Sequence, residues 1–263
     1  MNTKKIKSPI KVSGDKWHLK DFIISNFPEN YEQMTYVEPF CAGATIFLNK
    51  NPSETEVLCD SDEGLIAVFK AIRDEPKEFI ARIKRTKYSE RSFKIASNKF
   101  NCEFEDYIDK AVNEYILRKM SRSGLKRIFA WSEKMADETE NNWDDIAEKL
   151  EEVSQRIQAA SVLCKNFVEI IKAWDETTTL FYLDPPALSA VEGVKEHPHE
   201  LTVEEHMNMI HLAKNAKAKV IISGYSCPLY NRSLKSWKCK KKTQPASALK
   251  VKDKRVECVW INY

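Results

Sequence analysis

Residues 180–190 read Leu-Phe-Tyr-Leu-Asp-Pro-Pro-Ala-Leu-Ser-Ala, and this stretch decides the fold. Its apolar run, rich in aromatic side chains, is typical of a buried strand in a parallel sheet. The run ends at Asp184, and the two prolines that follow cannot continue a sheet ladder, so the backbone must leave the sheet in a stiff, extended turn. We therefore expect a carboxylate and a rigid carbonyl at the carboxyl end of a strand, where open α/β sheets bind their ligands.

Other strand-like runs alternate with helical patterns along the chain. The strand-like runs are 35–40, 56–60, 161–166, 179–184, 218–223 and 256–263, and clear helical patterns include 64–73 and 202–214. Strands that alternate with helices favour a parallel sheet with helices on both faces. The sequence therefore predicts an α/β fold.

The middle of the chain has a different pattern. From 76 to 158 we find only helical periodicity with many charged residues, for example over 107–120 and 143–157. This predicts an all-helical inserted domain at 76–158, within a discontinuous domain made of 1–75 and 159–263.

Composition narrows the kinds of partner. The chain has 263 residues and a formal net charge of only +3, so contact with nucleic acid must come from local clusters of Lys and Arg. The seven cysteines are scattered and form no CxxC pair, which favours reduced thiols in a cytoplasmic compartment and argues against a metal site. No apolar stretch approaches the length of a membrane span, so we expect no membrane partner.

A second motif precedes the helical region. Residues 36–45 read Tyr-Val-Glu-Pro-Phe-Cys-Ala-Gly-Ala-Thr, and small residues directly after a strand allow a tight turn and the close approach of a ligand. The next strand ends at Asp60, where an acid can accept hydrogen bonds from both hydroxyls of a ribose. Alone, this pattern fits a nicotinamide-binding unit almost as well, and Gly43 could equally be a glycine required for helix packing.

Taken together, the motifs resemble those of the Dam-type, or D12-class, DNA adenine-N6 methyltransferases. Asp184-Pro185-Pro186 is similar to the DPPY motif of that family, but Ala187 stands where the family has an aromatic residue. Residues 38–44 are similar to its EPFxGGA loop. The remaining similar segments, in family order, are Gly14-Asp15-Lys16-Trp17 (GGK, with Asp15 where the second glycine is usual), 57–60 (VLND), 120–125, 223–225 and 257–263.

The resemblance implies a Rossmann-like methyltransferase sheet that uses S-adenosylmethionine and releases S-adenosylhomocysteine. It implies a cofactor site made of Lys16, Trp17, Phe40, Cys41, Ala42, Gly43, Asp60, Asn166 and Asp184. The implied catalytic residues are Asp184, Pro185, Pro186 and Ala187. Asn166 lies where the family often has an acid that contacts the adenine of the cofactor.

The implied reaction is methylation of the exocyclic amine of adenine in double-stranded DNA. That amine is a poor nucleophile because its lone pair is delocalised into the ring. The Asp184 carboxylate and the Pro185 carbonyl are a natural pair of fixed acceptors for its two N–H groups. A base inside a duplex cannot reach such a site and must be flipped out.

Ala187 predicts impaired activity. Stacking on an aromatic ring contributes roughly 1–3 kcal/mol per base, so its loss would slow the reaction by roughly 5- to 150-fold. Three explanations remain open: the position was changed to impair catalysis, the protein is a naturally weakened relative, or another ring, Tyr182 or Tyr225, substitutes.

Two basic clusters are candidate DNA-binding surfaces. One lies in the helical region and comprises Arg118, Arg122, Ser123, Lys126 and Arg127. The other lies around the turn of a predicted carboxy-terminal hairpin and includes Lys240, Lys241, Lys252 and Lys254. Phosphate contact is one interpretation of the hairpin charges, and a solvated sheet edge is the other.

Two further functions remain as alternatives. The chain could bind DNA and cofactor with little turnover, or it could methylate a glutamine amide in a protein. A cognate restriction endonuclease would be a partner if the protein is one half of a bacterial or phage modification system. The recognised DNA sequence cannot be inferred from these residues.

Overall fold

The computed structural model describes residues 5–100, 102–104, 106–130, 143–188, 200–243 and 256–263. The α-helices are α1 Lys20–Ile24, α2 Thr45–Asn49, α3 Glu63–Asp74, α4 Pro76–Lys84, α5 Glu90–Asn98, α6 Tyr107–Met120, α7 Trp143–Ile157, α8 Phe167–Trp174, α9 Val203–Asn215 and α10 Pro228–Ser233. The strands are β1 Thr35–Glu38, β2 Thr55–Asp60, β3 Ser161–Cys164, β4 Thr179–Leu183, β5 Lys219–Tyr225, β6 Lys238–Thr243 and β7 Val256–Ile261.

In the described part of the chain, the strands form a seven-stranded sheet in the order β3-β2-β1-β4-β5-β7-β6. The pairs β1–β2, β1–β4 and β4–β5 are parallel, whereas β5–β7 and β6–β7 are antiparallel. This sheet, flanked by helices, confirms the predicted α/β class. The carboxy-terminal hairpin makes the sheet mixed rather than wholly parallel.

The chain divides into two compact units. One comprises 1–20, 42–50 and 62–164, and the other comprises 21–41, 51–61 and 165–263. The first unit contains α2 to α7, and between 76 and 158 its described residues form helices and no strand. The second contains every described strand except β3.

The strands of the second unit are held by apolar side chains on both faces. All five residues of β4 are buried, and its neighbours β1 and β5 bury Val37 and Val220 at the positions that pair with Phe181. Burial of one such side chain stabilises the fold by roughly 1.5–3 kcal/mol. A strand buried on both faces reads as a continuous apolar run, which is why residues 180–183 identified it.

The helices of the first unit begin at side-chain caps. Asp62 accepts a hydrogen bond from the Leu65 N–H at 3.0 Å at the start of α3, and Asp106 accepts one from the Ile108 N–H at 2.8 Å at the start of α6. Such caps satisfy amides that have no partner within the helix. The apolar face of α6 packs with α5 in a buried cluster of Phe93, Ala96, Ile116, Leu117 and Met120.

Four strands, β1, β3, β4 and β7, end earlier than the sequence predicts, and the first two show why. The strand at 35–40 ends at Glu38 because Pro39 has no N–H to donate to a ladder. The strand at 161–166 ends at Cys164 because Asn166 caps α8, where its side-chain oxygen accepts a hydrogen bond from the Val168 N–H at 2.8 Å. Polar capping residues are difficult to tell from strand ends in a sequence, since both follow apolar runs.

His206 on α9 is buried, with 1% of its surface exposed. Its Nδ1 lies 2.8 Å from the Tyr230 hydroxyl, and its Nε2 has no hydrogen-bond partner among the described residues. Burial lowers the pKa of His206 to about 4, although the nearby Glu205 carboxylate acts in the opposite direction. The folded protein therefore holds this imidazole in its neutral form.

We expect His206 to make the protein sensitive to mild acid. The unfolded chain takes up a proton near pH 6.5 and the folded chain only near pH 4, so stability is lost as pH falls through this window. This lowers the free energy of unfolding by about 1–2 kcal/mol between pH 7 and 5, measurable by urea titration. The loss should shrink in His206→Gln and persist in His211→Gln, which changes an exposed histidine on the same helix. An equal loss in both variants would contradict this assignment.

The turn between β1 and α2 has a strained backbone. Ala42 has a φ of 42° and Ala44 a φ of 54°, both in the left-handed region that favours glycine. A Cβ atom in this conformation lies too close to the following carbonyl. The strain lies at the turn that the sequence assigns to cofactor binding.

Ala42→Gly should therefore stabilise the protein. Relief of left-handed strain contributes roughly 1–2 kcal/mol, and the greater freedom of glycine in the unfolded chain offsets part of it, which leaves about 0.5–1 kcal/mol. Thermal unfolding measures the change. Ala67→Gly, inside helix α3, is the matched control and should destabilise by about 1 kcal/mol. Destabilisation by Ala42→Gly would show that no strain is stored at this turn.

Candidate functional site

The strand order makes the carboxyl ends of β1 and β4 the candidate position for a ligand. From β1 the chain continues outward to β2, and it later returns to form β4 on the other side of β1 and then β5. The connections therefore leave the sheet in opposite directions from two adjacent parallel strands, and open α/β sheets bind their ligands at the carboxyl ends of such a strand pair. Glu38 ends β1, and Asp184 follows β4 directly.

A hydrogen-bonded chain holds Asp184 at this edge. The Ser223 hydroxyl on β5 donates to Asp184 Oδ1 at 2.8 Å, and the Tyr182 hydroxyl lies 2.8 Å from Ser223 Oγ. Because serine has a single hydroxyl proton, which Asp184 accepts, Tyr182 must be the donor to Ser223. The result is a relay of two donors that points toward one carboxylate.

The environment keeps Tyr182 protonated. Its side chain is only 1% exposed, and this burial raises its pKa well above the usual range, as does the negative charge of Asp184. Because the single Ser223 proton is donated to Asp184, the protonated phenol acts as the donor to Ser223 in this relay. A carboxylate has about four acceptor positions, so Asp184 can accept further hydrogen bonds from a ligand.

The residues after Asp184 differ in exposure. Pro185 is buried, Pro186 is half-buried and Ala187 is exposed. Tyr182 is committed to the relay beneath the loop, which argues against it as a stacking ring. Tyr225 remains a candidate for that role, because it is half-buried at the end of β5, the strand that pairs with β4.

The ends of β1 and β2 also meet in this unit. The Cys41 N–H donates to the Cys59 carbonyl at 2.9 Å, and the Lys165 N–H donates to the Asp60 carbonyl at 3.2 Å. Asp60 is therefore tied by backbone to the turn that carries Asn166. The Asn166 side-chain oxygen caps α8, so the sequence-predicted contact with adenine must be compatible with this cap. The Phe40 ring is half-buried, with its centre 5.3 Å from the Phe167 ring centre.

In the other unit, Gly43 contacts the amino-terminal segment. A Cβ at this position would lie 2.7 Å from Ser8 Oγ and 3.0 Å from Val12 Cγ2, both closer than normal packing permits. A side chain here would force Ser8 and Val12 to shift, so packing within the chain favours glycine at this position. Its contact with a cofactor, like that of Ala42, stays a prediction.

Asp15 organises the Gly14–Trp17 segment. Its carboxylate accepts hydrogen bonds from the Thr45 hydroxyl at 2.7 Å and from the Trp17 N–H at 2.9 Å. The Trp17 ring also packs beneath the Lys20 ammonium, which lies 4.1 Å from the ring centre. Lys16, the residue before Trp17, is half-buried. Aspartate in place of the usual glycine therefore attaches this segment to the start of α2.

The residues near the end of α6 that are predicted to bind DNA differ in exposure. Arg122, Ser123 and Arg127 are exposed in the loop that follows α6. Arg118 is buried between two carboxylates, and Lys126 pairs with one of them.

The hairpin cluster is described only in part. Lys240 and Lys241 are exposed on β6, which is exposed along its whole length, and Lys252 and Lys254 lie outside the described residues. DNA contact by this cluster stays a prediction.

Sequence reasoning missed the relay of Ser223 and Tyr182. Both residues lie in runs that the sequence identified as strands, and alternation does not show which hydroxyls meet across neighbouring strands. The available signal was a serine one strand away from an acid at the same sheet edge.

The described residues contain neither a candidate metal site nor a helix that could span a membrane. They contain no group of three His, Cys, Asp or Glu side chains arranged to hold a metal ion. Among the described helices, none combines the length and the hydrophobicity that a membrane crossing requires.

Comparison with known proteins identifies the family. The family model for the D12 class N6 adenine-specific DNA methyltransferases matches residues 13–256, which is nearly the whole chain. The search of curated proteins finds no match. The matched region includes the Gly14–Trp17 segment, the ends of β1 and β2, the loop after α6 and the Asp184 loop. The chain therefore belongs to the D12 class of N6 adenine-specific DNA methyltransferases.

Proposed function

We propose that this protein transfers a methyl group from S-adenosylmethionine to the N6 amine of an adenine flipped out of duplex DNA, at a specific sequence and at a reduced rate. The observation that carries the proposal is the Asp184 carboxylate, held by the Ser223 hydroxyl at the carboxyl end of β4 and followed by Pro185. Family membership makes DNA adenine, rather than a glutamine amide of a protein, the substrate class.

The residues present fit the cofactor. S-adenosylmethionine, when bound, supplies an electrophilic methyl group on a positively charged sulfur, which keeps the bonding electron pair as the methyl group leaves. Asp60, half-exposed at the end of β2, can accept hydrogen bonds from the ribose hydroxyls. Phe40 offers an apolar surface near the same strand ends, and Asn166 offers an amide for the adenine ring of the cofactor.

Asp184 and Pro185 would activate the target amine. The carboxylate accepts one N–H of the amine and the Pro185 carbonyl accepts the other. These hydrogen bonds favour a more tetrahedral nitrogen whose lone pair can attack the methyl carbon. Once the new N–C bond forms, the nitrogen is positively charged and loses a proton readily to Asp184 or to water. The reaction therefore needs no covalent enzyme intermediate.

The relay behind Asp184 would reduce the reorganisation that this step requires. A carboxylate already held by Ser223 does not have to find its orientation when the base arrives. Burial of Tyr182 and Pro185 keeps water away from one side of the loop, which strengthens the hydrogen bonds of Asp184.

We infer that the physiological partner is double-stranded DNA in the cytoplasm of a bacterium or of a phage-infected cell. If a restriction endonuclease cuts the same sequence, methylation would protect the host DNA, and that nuclease would be a cognate functional partner. Sequencing that reports modified adenines, run on DNA from expressing cells, would identify the recognised sequence.

The test of the proposal is transfer of a labelled methyl group from S-adenosylmethionine to duplex DNA. The wild type should label adenine N6, and Asp184→Ala should abolish labelling because the charged acceptor is lost. Ser223→Ala should lower kcat by about tenfold to hundredfold, the effect of one hydrogen bond to a charged group. Ser226→Ala, at an exposed serine just beyond β5, is the control and should retain full activity. Normal labelling by Asp184→Ala would refute the proposed mechanism.

Ala187→Tyr should raise kcat/KM by roughly 5- to 150-fold, since it restores a ring that stacks on the flipped base. Fluorescence of 2-aminopurine at the target position would report stacking independently of turnover. If Tyr225 already supplies the ring, Ala187→Tyr should give no gain and Tyr225→Ala should lower activity, with Tyr225→Phe as the control that keeps the ring. No effect of any of these variants would contradict the role of stacking.

A further inference from the structure

A buried ion network joins the start of α3 to the loop 121–129, which follows α6. Arg118 Nη2 lies 2.5 Å from Asp62 Oδ2, and Arg118 Nε lies 2.6 Å from Glu114 Oε1. Lys126 Nζ lies 2.8 Å from the same Glu114 oxygen. The exposed fractions of these side chains are only 7–12%, so the four charges interact in a partly dehydrated environment.

The four charges of the network cancel one another. Burial alone would lower the pKa of Arg118, but the adjacent carboxylates of Asp62 and Glu114 raise it above the usual range. Two acids and two cations leave no net charge, and removal of one member would leave another charge buried without compensation. A buried ion network is weak evidence of added stability, so the role that we assign to this one is to fix geometry.

The loop needs this support because its backbone is strained. Ser123 and Lys126 have φ values of 54° and 62°, in the left-handed region that favours glycine, and Gly124 occupies the same region without strain at a φ of 73°. The Lys126 N–H donates to Ser121 Oγ at 2.9 Å, so backbone and side chain of Lys126 are both anchored. Strained backbone of this kind persists where surrounding contacts determine it, often at functional sites.

At the other end of the network, Asp62 lies close in sequence to β2, the strand whose end the sequence assigns to the cofactor. Asp62 follows Asp60 by two residues, and its second carboxylate oxygen caps α3. Gly64, in the first turn of α3, packs directly on Glu114, since a Cβ there would lie 2.7 Å from the Glu114 carboxylate. The carboxylates of Asp62 and Glu114 thus hold both the start of α3 and the loop 121–129.

The polar residues of α6 and of the loop are therefore divided between two tasks. Arg118 and Lys126 are occupied by buried carboxylates, whereas Arg122 and Ser123 are exposed at the strained turn. We propose that Asp62, Glu114, Arg118 and Lys126 are positioning residues, which hold the loop in the single conformation that presents Arg122 and Ser123 to DNA. This inference rests on the proposed function and assigns Arg118 and Lys126 an indirect role in it.

The experiment compares Lys126→Met with Arg122→Ala. For each protein variant we would measure KM for duplex DNA and the salt dependence of DNA binding. We would also measure discrimination between the DNA sequence that the wild type recognises and DNA that differs from it at a single base pair. Lys126→Met should raise KM for DNA and reduce discrimination by about tenfold with an unchanged salt slope, because it disorders the loop without removing a phosphate contact. Arg122→Ala should reduce the salt slope by about 0.9, the value for one phosphate contact.

Two control variants, one substitute variant and a measurement of stability complete the experiment. Lys126→Arg keeps the pairing cation and should retain wild-type discrimination, and Lys94→Met removes an exposed lysine that pairs with Glu90 and should change nothing. If Lys126→Met does not fold, Glu114→Gln, which keeps the side-chain volume, is expected to show the same loss of discrimination. Thermal unfolding of each variant separates loss of fold from loss of positioning.

Two results would overturn the inference. A salt slope reduced by about one unit in Lys126→Met would mean that Lys126 contacts a phosphate directly. Wild-type KM and discrimination in both Lys126→Met and Glu114→Gln would mean that the network does not position the loop. Either result is compatible with a wild type that methylates DNA, whereas a wild type that transfers no methyl group to DNA would refute the proposed function itself.

Discussion

A carboxylate at the end of a buried strand keeps one orientation only if another group holds it, and in this protein the Ser223 hydroxyl does so. The relay that begins at Tyr182 works because parallel neighbours β4 and β5 bring alternate residues to the same sheet face. The register that pairs Leu183 with Ile222 also brings Asp184 level with Ser223. A slip of one residue would reverse the faces and separate the two groups. The fold therefore supplies both the position of the Asp184 carboxylate, to which we assign activation of the amine, and the donor that orients it.

The two units use charge in contrasting ways. Asp184 and Asp60 lie half-exposed at strand ends, where a ligand can reach them. Glu114 and Arg118 are instead buried against each other, where they can act only through the backbone that they hold. Burial thus separates charged residues that a ligand can reach from charged residues that can only position other residues. A basic residue in a loop that is proposed to bind DNA is not by itself evidence of contact with DNA.

The sequence predicted the α/β sheet and the end of β4 before Asp184 because each leaves a periodic or sterically forced pattern. An apolar run that ends in two prolines has few structural solutions. The burial of Arg118 was not predictable, because its partner Asp62 is distant in sequence and no pattern records their meeting. The same holds for Ser223 and Tyr182. Local rules identify where strands end, but pairs of polar side chains from different elements depend on tertiary packing.

Ala187 separates two contributions that the resembled motif normally combines. Polarisation of the amine depends on the carboxylate and on a backbone carbonyl, and neither requires a ring at position 187. Retention of the flipped base depends on a stacking surface, which the alanine methyl group does not offer. A chain with the acceptors intact and the ring absent should therefore hold the base too briefly rather than activate it too weakly. Any neighbouring ring that restores residence time, such as Tyr225 at the end of β5, would recover the rate without any change to the acceptors.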